Sequence, residues 1–286
     1  MNLTNIGQIK DICKRHNFEF SKSLGQNFLI NPSVCPKIAQ MGGCVGNVGV
    51  IEIGTGFGVL TCELAKLAKK VVAIELDSRL LPVLDETLAD FDNVKIINED
   101  VLKVDLKALI EQEFAGMEVV VCANLPYYIT SPIIMSLLEQ RLPIKAITVM
   151  VQKEAADRIC AKLGTRDCGA VTVAVRYFSD PKILFNVSRG SFMPSPNVDS
   201  CVIKLDVKEQ TPPDVKDEKF FFKVVKACFS QRRKTIVNSI CNNIGISKSD
   251  LISILENLSL SPTIRAEQLV MQNFIDISNA ILEIKE

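Results

Sequence analysis

Three glycines, two carboxylates and one Asn-Leu-Pro-Tyr turn are the residues of this sequence whose types and spacing could do chemistry. In IEIGTGFG, Gly54, Gly56 and Gly58 follow an apolar run and open a helical one. Glycine lets the backbone turn sharply and approach a ligand with no Cβ in the way. An ordinary tight strand–helix turn would look the same locally. The dinucleotide fingerprint GxGxxG is not met, because the third glycine comes one residue early and Val59 holds its place. Glu75 ends the next apolar run, about 20 residues on, where a carboxylate can accept hydrogen bonds from a ribose diol. An adenosine without a pyrophosphate suits that pairing, and S-adenosylmethionine fits it better than NAD.

Asp100, in NEDVLK, extends this reading. Its carboxylate can accept the exocyclic amine of an adenine, or it can simply cap the following segment. ANLPYYITS (123–131) then suggests the reaction. Asn124 offers an amide oxygen, Pro126 fixes the turn and Tyr127 presents a ring. A proline turn with a core tyrosine would share the pattern. The chemistry that needs all of these groups is amine methylation. Adenine N6 is a poor nucleophile, since its lone pair is delocalised into the ring. An amide oxygen and a backbone carbonyl can hold its two N–H groups and aim the lone pair at a sulfonium methyl, an orientation effect worth several kcal/mol. The product nitrogen is strongly acidic and loses its proton to water, so no histidine base is required. The one histidine, His16, lies upstream of these motifs and reads as a surface or packing residue.

An alternation of strand and helix patterns must position these groups. Short apolar runs at 49–53, 71–75, 94–97, 118–123 and 146–151 read as buried strands, with helical stretches at 58–70 and 78–91 between them. That alternation implies an α/β fold: an open, mainly parallel sheet with helices on both faces, Rossmann-like in type. Further strands are expected at 170–178, 182–187 and 201–207, suggesting an antiparallel edge. KEQTPPD (208–214) reads as a linker, and the remainder is helical.

Composition bounds the rest. The chain has 286 residues, 48% of them hydrophobic, so it can bury a large core. Lys+Arg and Asp+Glu both number 33, so any polyanion must be held by local clusters. Ten scattered cysteines without a CxxC pair imply reduced, buried thiols in a cytoplasmic protein rather than a zinc site. The N-terminal residues read as neither a signal peptide nor a membrane span.

SLGQNFL, IEIGTGFGVLT, VVAIELD, NLPYYITSPI, VQKEAADRI, SFMPSPNVDSCVIKL and FSQRRKT occur in that order. With them the chain resembles the ribosomal RNA adenine N6,N6-dimethyltransferases, specifically the bacterial 16S small-subunit type, over nearly its whole length. Two departures are small. Thr55 stands where proline is common, slightly weakening the expected loop rigidity, and Asn31 stands where aspartate often follows the apolar triplet. The resemblance implies that the segment around Asn27 and Leu29 closes over S-adenosylmethionine. This would explain the mixed character of SKSLGQNFLIN (21–31), with Gly25 and two amides before an apolar triplet. Gly54 would contact the methionine end, Glu75 the ribose, Asp100 the adenine, and Asn124 both cofactor and target amine. Tyr127 would stack on the target adenine with Phe192 on its other side, since a base modified within structured RNA must be extruded.

The expected organisation is a methyltransferase domain over 1–207 and a helical domain over 213–286. The implied activity is dimethylation of two adjacent adenosines near the 3′ end of 16S rRNA, in a small-subunit particle, by a monomer with no membrane contact. A 23S rRNA methyltransferase of the resistance type, or an RNA-binding assembly or transcription factor with vestigial catalysis, would share many motifs. Intact Glu75, Asp100 and NLPY argue against the latter. An NAD-dependent oxidoreductase is disfavoured by the glycine spacing. If residues 220–237 form one continuous helix, Phe221, Val224, Val225, Cys228, Phe229 and Ile236 share one face. Lys223, Lys226, Arg233 and Lys234 then gather opposite as candidates for RNA phosphates. Arg232 would project among the apolar residues and need a buried partner.

Overall fold

Strands form where β-branched and aliphatic residues run without interruption, because a parallel sheet covered on both faces buries every side chain. The computed structural model describes residues 1–21, 26–231 and 233–285. It divides into two compact units, Met1–Ala156 with Asp180–Val207, and Asp157–Ser179 with Lys208–Glu286. The expected boundaries differ: residues 157–179 group with the C-terminal helices, and that unit resumes at Lys208 rather than 213.

The strands are β1 (Phe28–Leu29), β2 (Gly46–Ile53), β3 (Ala68–Glu75), β4 (Val94–Asn98), β5 (Glu118–Asn124), β6 (Ala146–Gln152), β7 (Ser179–Val187), β8 (Phe192–Met193) and β9 (Ser200–Val207). The helices are α1 (Ile6–Arg15), α2 (Val34–Met41), α3 (Val59–Leu67), α4 (Leu81–Thr87), α5 (Leu106–Glu113), α6 (Thr130–Glu139), α7 (Lys153–Ile159), α8 (Ala170–Phe178), α9 (Glu218–Cys228), α10 (Ile236–Ile244), α11 (Lys248–Asn257) and α12 (Met271–Lys285).

A seven-stranded sheet of order β4-β3-β2-β5-β6-β9-β7 forms the first unit. Neighbours from β4 to β6 are parallel, and β6 pairs with β9 antiparallel. The chain moves outward from β2 to β3 and β4, then returns to place β5 on the other side of β2. This reversal opens the crevice at the C-terminal strand ends where such sheets bind ligands. The cysteines are all free thiols. Among the described residues, no group of three or more acidic, histidine or cysteine side chains could hold a metal, and no helix is long and apolar enough to cross a membrane.

Several expected elements differ. Helix α3 ends at Leu67, so Ala68–Lys70 already belong to β3, and α4 is shorter than expected and follows a 3-10 turn at Ser78–Leu80. The stretch 170–178, read as a strand from its valines, is the helix α8. Its start is fixed by Thr172 Oγ1, which accepts from Gly169 N–H at 2.9 Å and donates to the Arg158 carbonyl at 2.7 Å. Tyr177 and Phe178 then pack on Phe221 and Phe222 of α9, with centroids 5.2 and 5.5 Å apart. Tertiary packing therefore overrides the β preference of the valines.

The continuous helix expected over 220–237 is also interrupted. Helix α9 stops at Cys228, a turn follows, and α10 starts at Ile236. Within α9 the expected faces hold: Phe221, Val224, Val225 and Cys228 are buried, while Lys223 and Lys226 are exposed. Arg233 and Lys234 lie exposed in the intervening turn, so they do not extend the α9 face. Arg232 lies outside the described residues, as do Lys22–Gly25 of the segment expected to cover the cofactor.

Candidate active site

The C-terminal ends of β2, β3 and β5, with the turn after β4, converge on one cleft within the first unit. Its walls include Asn27, Leu29, Gly54, Glu75, Asp100, Asn124, Tyr127 and Phe192. All eight residues singled out for cofactor or target contact therefore surround a single space. Lys223, Lys226, Arg233 and Lys234 are elsewhere, in the second unit.

The glycine loop is built around Glu75. Gly54, Gly56 and Gly58 all have positive φ, at 76°, 55° and 84°, which L side chains avoid. A Cβ on Gly54 would meet only the Asn124 carbonyl, at 4.0 Å, so this glycine faces open cleft. At Gly56 a Cβ would come within 3.1 Å of the Phe28 ring. Phe28 in turn stacks on Phe57 of the loop, centroids 4.1 Å apart, a pair worth about 0.5–1.5 kcal/mol beyond its buried area. The segment that carries Asn27 and Leu29 is thereby fastened to the glycine loop.

Glu75 is 6% exposed and accepts four hydrogen bonds. Oε2 takes Thr55 N–H and Thr55 Oγ1, both at 2.9 Å, and Gly56 N–H at 3.2 Å. Oε1 takes Asp77 N–H at 2.9 Å. Thr55 thus strengthens the loop rather than weakening it, because a proline there would offer neither donor. Glu75 is likewise more than a ligand group, since it organises the loop beneath the ligand.

Gln26 and Asp77 are residues that sequence reasoning did not single out, although both stand inside quoted motifs. Gln26 accepts from Ser21 N–H and donates to Asp77 Oδ2, each at 2.8 Å. Asp77 also holds Arg79 and Gln26, and these hydrogen bonds keep its carboxyl below the usual range despite partial burial. A chain of contacts therefore runs from the covering segment through Asp77 to Glu75. Leu76 and Val101, next in sequence to Glu75 and Asp100, add apolar side chains to the cleft wall.

Asp100 does not cap a helix; α5 is capped by Asp105. Its Oδ1 accepts Leu102 N–H at 3.1 Å, a local turn that sets the carboxylate at the cleft wall. At the other end of the cleft, Asn124 pairs with Met150 in the sheet, and Leu125 N–H bonds the Met150 carbonyl at 3.2 Å. Among the described residues, the Asn124 amide has no hydrogen-bond partner. Tyr127 begins a 3-10 turn, and its hydroxyl lies 2.7 Å from Ser200 Oγ. Burial raises its phenol above the ordinary range, with the Ser200 bond opposing. Phe192 is only 3% exposed, in register with Leu29 across the β1–β8 pair. The backbone of Ile30 bonds Ser191 at 2.8 Å, and Asn31 Nδ2 donates to Ser191 Oγ at 3.2 Å. The departure at Asn31 thus supplies an N–H donor that a carboxylate lacks. His16 is not among the residues that line the cleft and pairs with Glu86 at 2.6 Å.

One buried group lies just outside the cleft wall. Glu52, on β2, is 0% exposed, and burial pushes its carboxyl up to about 8. The nearby Thr61 hydroxyl offsets this only in part, and among the described residues neither side chain makes a full hydrogen bond.

These residues fit S-adenosylmethionine. A Cβ-free wall at Gly54, carboxylates at two strand ends, apolar side chains between them and an unpaired amide at Asn124 supply what its parts require. Among the described residues that line the cleft, none carries a cationic side chain for a pyrophosphate.

Comparison with known proteins points the same way. The family model described as "Ribosomal RNA adenine dimethylase" matches residues 17–281. The ribosomal RNA small subunit methyltransferase A of Geobacillus thermodenitrificans is 51% identical over 280 residues, covering 96% of each chain. Its counterpart in Bacillus cytotoxicus is 48% identical over 277 residues, covering 96% of this chain and 95% of that one. Among solved structures, a dimethyladenosine transferase from Plasmodium falciparum is 28% identical, with TM-score 0.73 over 90% of this chain and 97% of that one. A 23S rRNA methyltransferase at 23% identity and TM-score 0.68, over 89% of this chain and 99% of that one, shares the fold.

Proposed function

This chain belongs to the ribosomal RNA adenine dimethylase family, and on that premise we propose that its cleft dimethylates N6 of two adjacent adenosines near the 3′ end of 16S rRNA. When bound, S-adenosylmethionine supplies an electrophilic methyl on a positively charged sulfur. Glu75 and Asp100 hold the adenosine part, the ribose on Glu75 and the adenine amine on Asp100. Gly54 leaves room for the methionine part, and Asn27 and Leu29 cover it.

The observation that carries the reading is the unpaired Asn124 amide, set at the end of β5 in the same cleft as both carboxylates. Its oxygen accepts one N–H of the target amine. The Pro126 carbonyl is already occupied by Ile129 N–H and Thr130 Oγ1, each at 3.2 Å. We therefore assign the second N–H to the Leu125 carbonyl. Held in this way, the nitrogen lone pair points at the methyl rather than into the ring. Tyr127 stacks on the extruded base and Phe192 closes its other side. The methylated nitrogen carries the positive charge, becomes a strong acid and releases its proton to water.

The substrate is a maturing small-subunit particle rather than free RNA, the enzyme acts as a cytoplasmic monomer, and the exposed cations Lys223, Lys226, Arg233 and Lys234 contact RNA phosphates. The test is to incubate the protein with labelled S-adenosylmethionine and undermethylated 30S or 50S particles. Label in 16S rRNA of the 30S particle is expected. Label confined to 23S rRNA would replace this reading with the resistance-type activity, and label in neither would remove the catalytic assignment.

A further inference from the structure

We infer that Ser200 is a positioning residue for methyl transfer, fixing the ring of Tyr127 at the target end of the cleft; this rests on the function proposed above. Tyr127 stands in a short turn beyond the end of β5. A stacking ring works by its plane, and a ring attached at Cβ alone can tilt. Tyr127 is held at a second point, because its hydroxyl lies 2.7 Å from Ser200 Oγ at the opposite end of the ring.

Ser200 is well placed to be the fixed partner. It is 0% exposed and opens β9, in register with Gln152 of β6. The preceding residue is anchored twice: Asp199 accepts Lys153 N–H on its carbonyl at 3.0 Å and Arg189 N–H on Oδ1 at 2.9 Å. Strand β6 lies between β5 and β9 and receives Leu125 N–H on its Met150 carbonyl. The Tyr127 turn is thus tied to the sheet from both sides, through Leu125 at its base and Ser200 at its tip. The neighbouring Tyr128 shows the contrast: it is 60% exposed and its hydroxyl has no partner among the described residues. A buried serine hydroxyl also needs a partner, and here Tyr127 is the one that satisfies it.

The experiment compares Ser200→Ala, Tyr127→Phe, their double variant and Ser200→Thr in methyl transfer to undermethylated 30S particles at saturating cofactor. Each of the two deletions removes one hydrogen bond and should lower kcat about five- to tenfold, with KM for the particle and cofactor affinity changed less than about twofold. The double variant should lose no more than the worse single one, because both delete the same bond. Ser200→Thr, which keeps the hydroxyl, should recover most of the rate. The chain has three tyrosines, so the hydroxyl proton of Tyr127 can be sought directly by NMR. It should exchange slowly in the wild type and vanish in both single variants. An unchanged kcat in Ser200→Ala, losses that multiply in the double variant, or no protected proton in the wild type would each overturn the assignment. A wild type that methylates no particle would instead overturn the functional reading, while the proton signal still decides whether the bond exists.

Discussion

The two ends of the cleft solve opposite problems. At the cofactor end, Glu75 is held by its own chain, Oε2 by Thr55 and Gly56 and Oε1 by Asp77 alone, which leaves Oε1 an acceptor site for a ribose hydroxyl. At the target end, the Asn124 amide has no partner among the described residues, although strand pairing fixes the backbone that carries it. The first arrangement preforms a cradle, so that the loop is already shaped when a ligand arrives. The second holds polar groups in reserve for a substrate that spends most of its time stacked in RNA. Substitutions at the cofactor end should therefore damage loop order and binding together, whereas removing the Asn124 amide should act chiefly on rate, with at most a modest loss of cofactor affinity.

The largest effect should come from the unpaired end. Asn124→Ala should slow methyl transfer by roughly 10²-fold, about 3 kcal/mol of transition-state stabilisation, with thermal stability and particle binding nearly unchanged. Single-turnover rates at saturating cofactor, beside a melting curve, provide the check. A large fall in melting temperature would mean that Asn124 belongs with Glu75 in the preformed group.

Glu75→Ala should weaken S-adenosylmethionine binding by about 1.5–3 kcal/mol, the range of a charge-assisted hydrogen bond. From its position at a strand end alone, the fold would be expected to tolerate this change. The four bonds to the loop alter that expectation, and melting temperature should fall with affinity. Calorimetry showing normal affinity in a folded variant would remove Glu75 from the site.

A third case lies on the strand between them. Glu52 keeps its proton to about pH 8 in the fold, whereas an unfolded glutamate ionises near 4.3. Between these values the unfolded chain binds fewer protons, so stability falls as pH rises, and the slope ends above pH 8. Glu52→Gln should flatten this dependence, removing a loss of stability that in the wild type amounts to at most about 1.4 kcal/mol per pH unit between these values. A variant with the pH profile of the wild type would show that the carboxyl is solvated or paired.

The smallest effect concerns the other unit. Neutralising Lys223 and Lys226 together should flatten the slope of log affinity for the particle against log salt by roughly 1–2 units. Equal slopes would return the α9 face to solvent.

The sequence made the strand ends legible because a parallel sheet writes each strand as an apolar run and places ligand groups just after it. Gly54, Glu75, Asp100 and Asn124 all stand at such points. The links between them were not legible, since Gln26 to Asp77, Thr55 to Glu75 and Tyr127 to Ser200 join residues distant in the chain. Two elements misled for different reasons. The valines of α8 carry a β preference that burial against α9 overcomes. The end of α9 at Cys228 precedes FSQRRKT, which contains neither glycine nor proline to announce a break.

The most direct test of the account is nucleoside analysis of 16S rRNA after reaction of undermethylated small-subunit particles with this protein and S-adenosylmethionine. N6,N6-dimethyladenosine at two adjacent positions near the 3′ end, absent when Asn124→Ala replaces the wild type, is the predicted result. Dimethyladenosine appearing only in 23S rRNA, or an undiminished yield from Asn124→Ala, would contradict it.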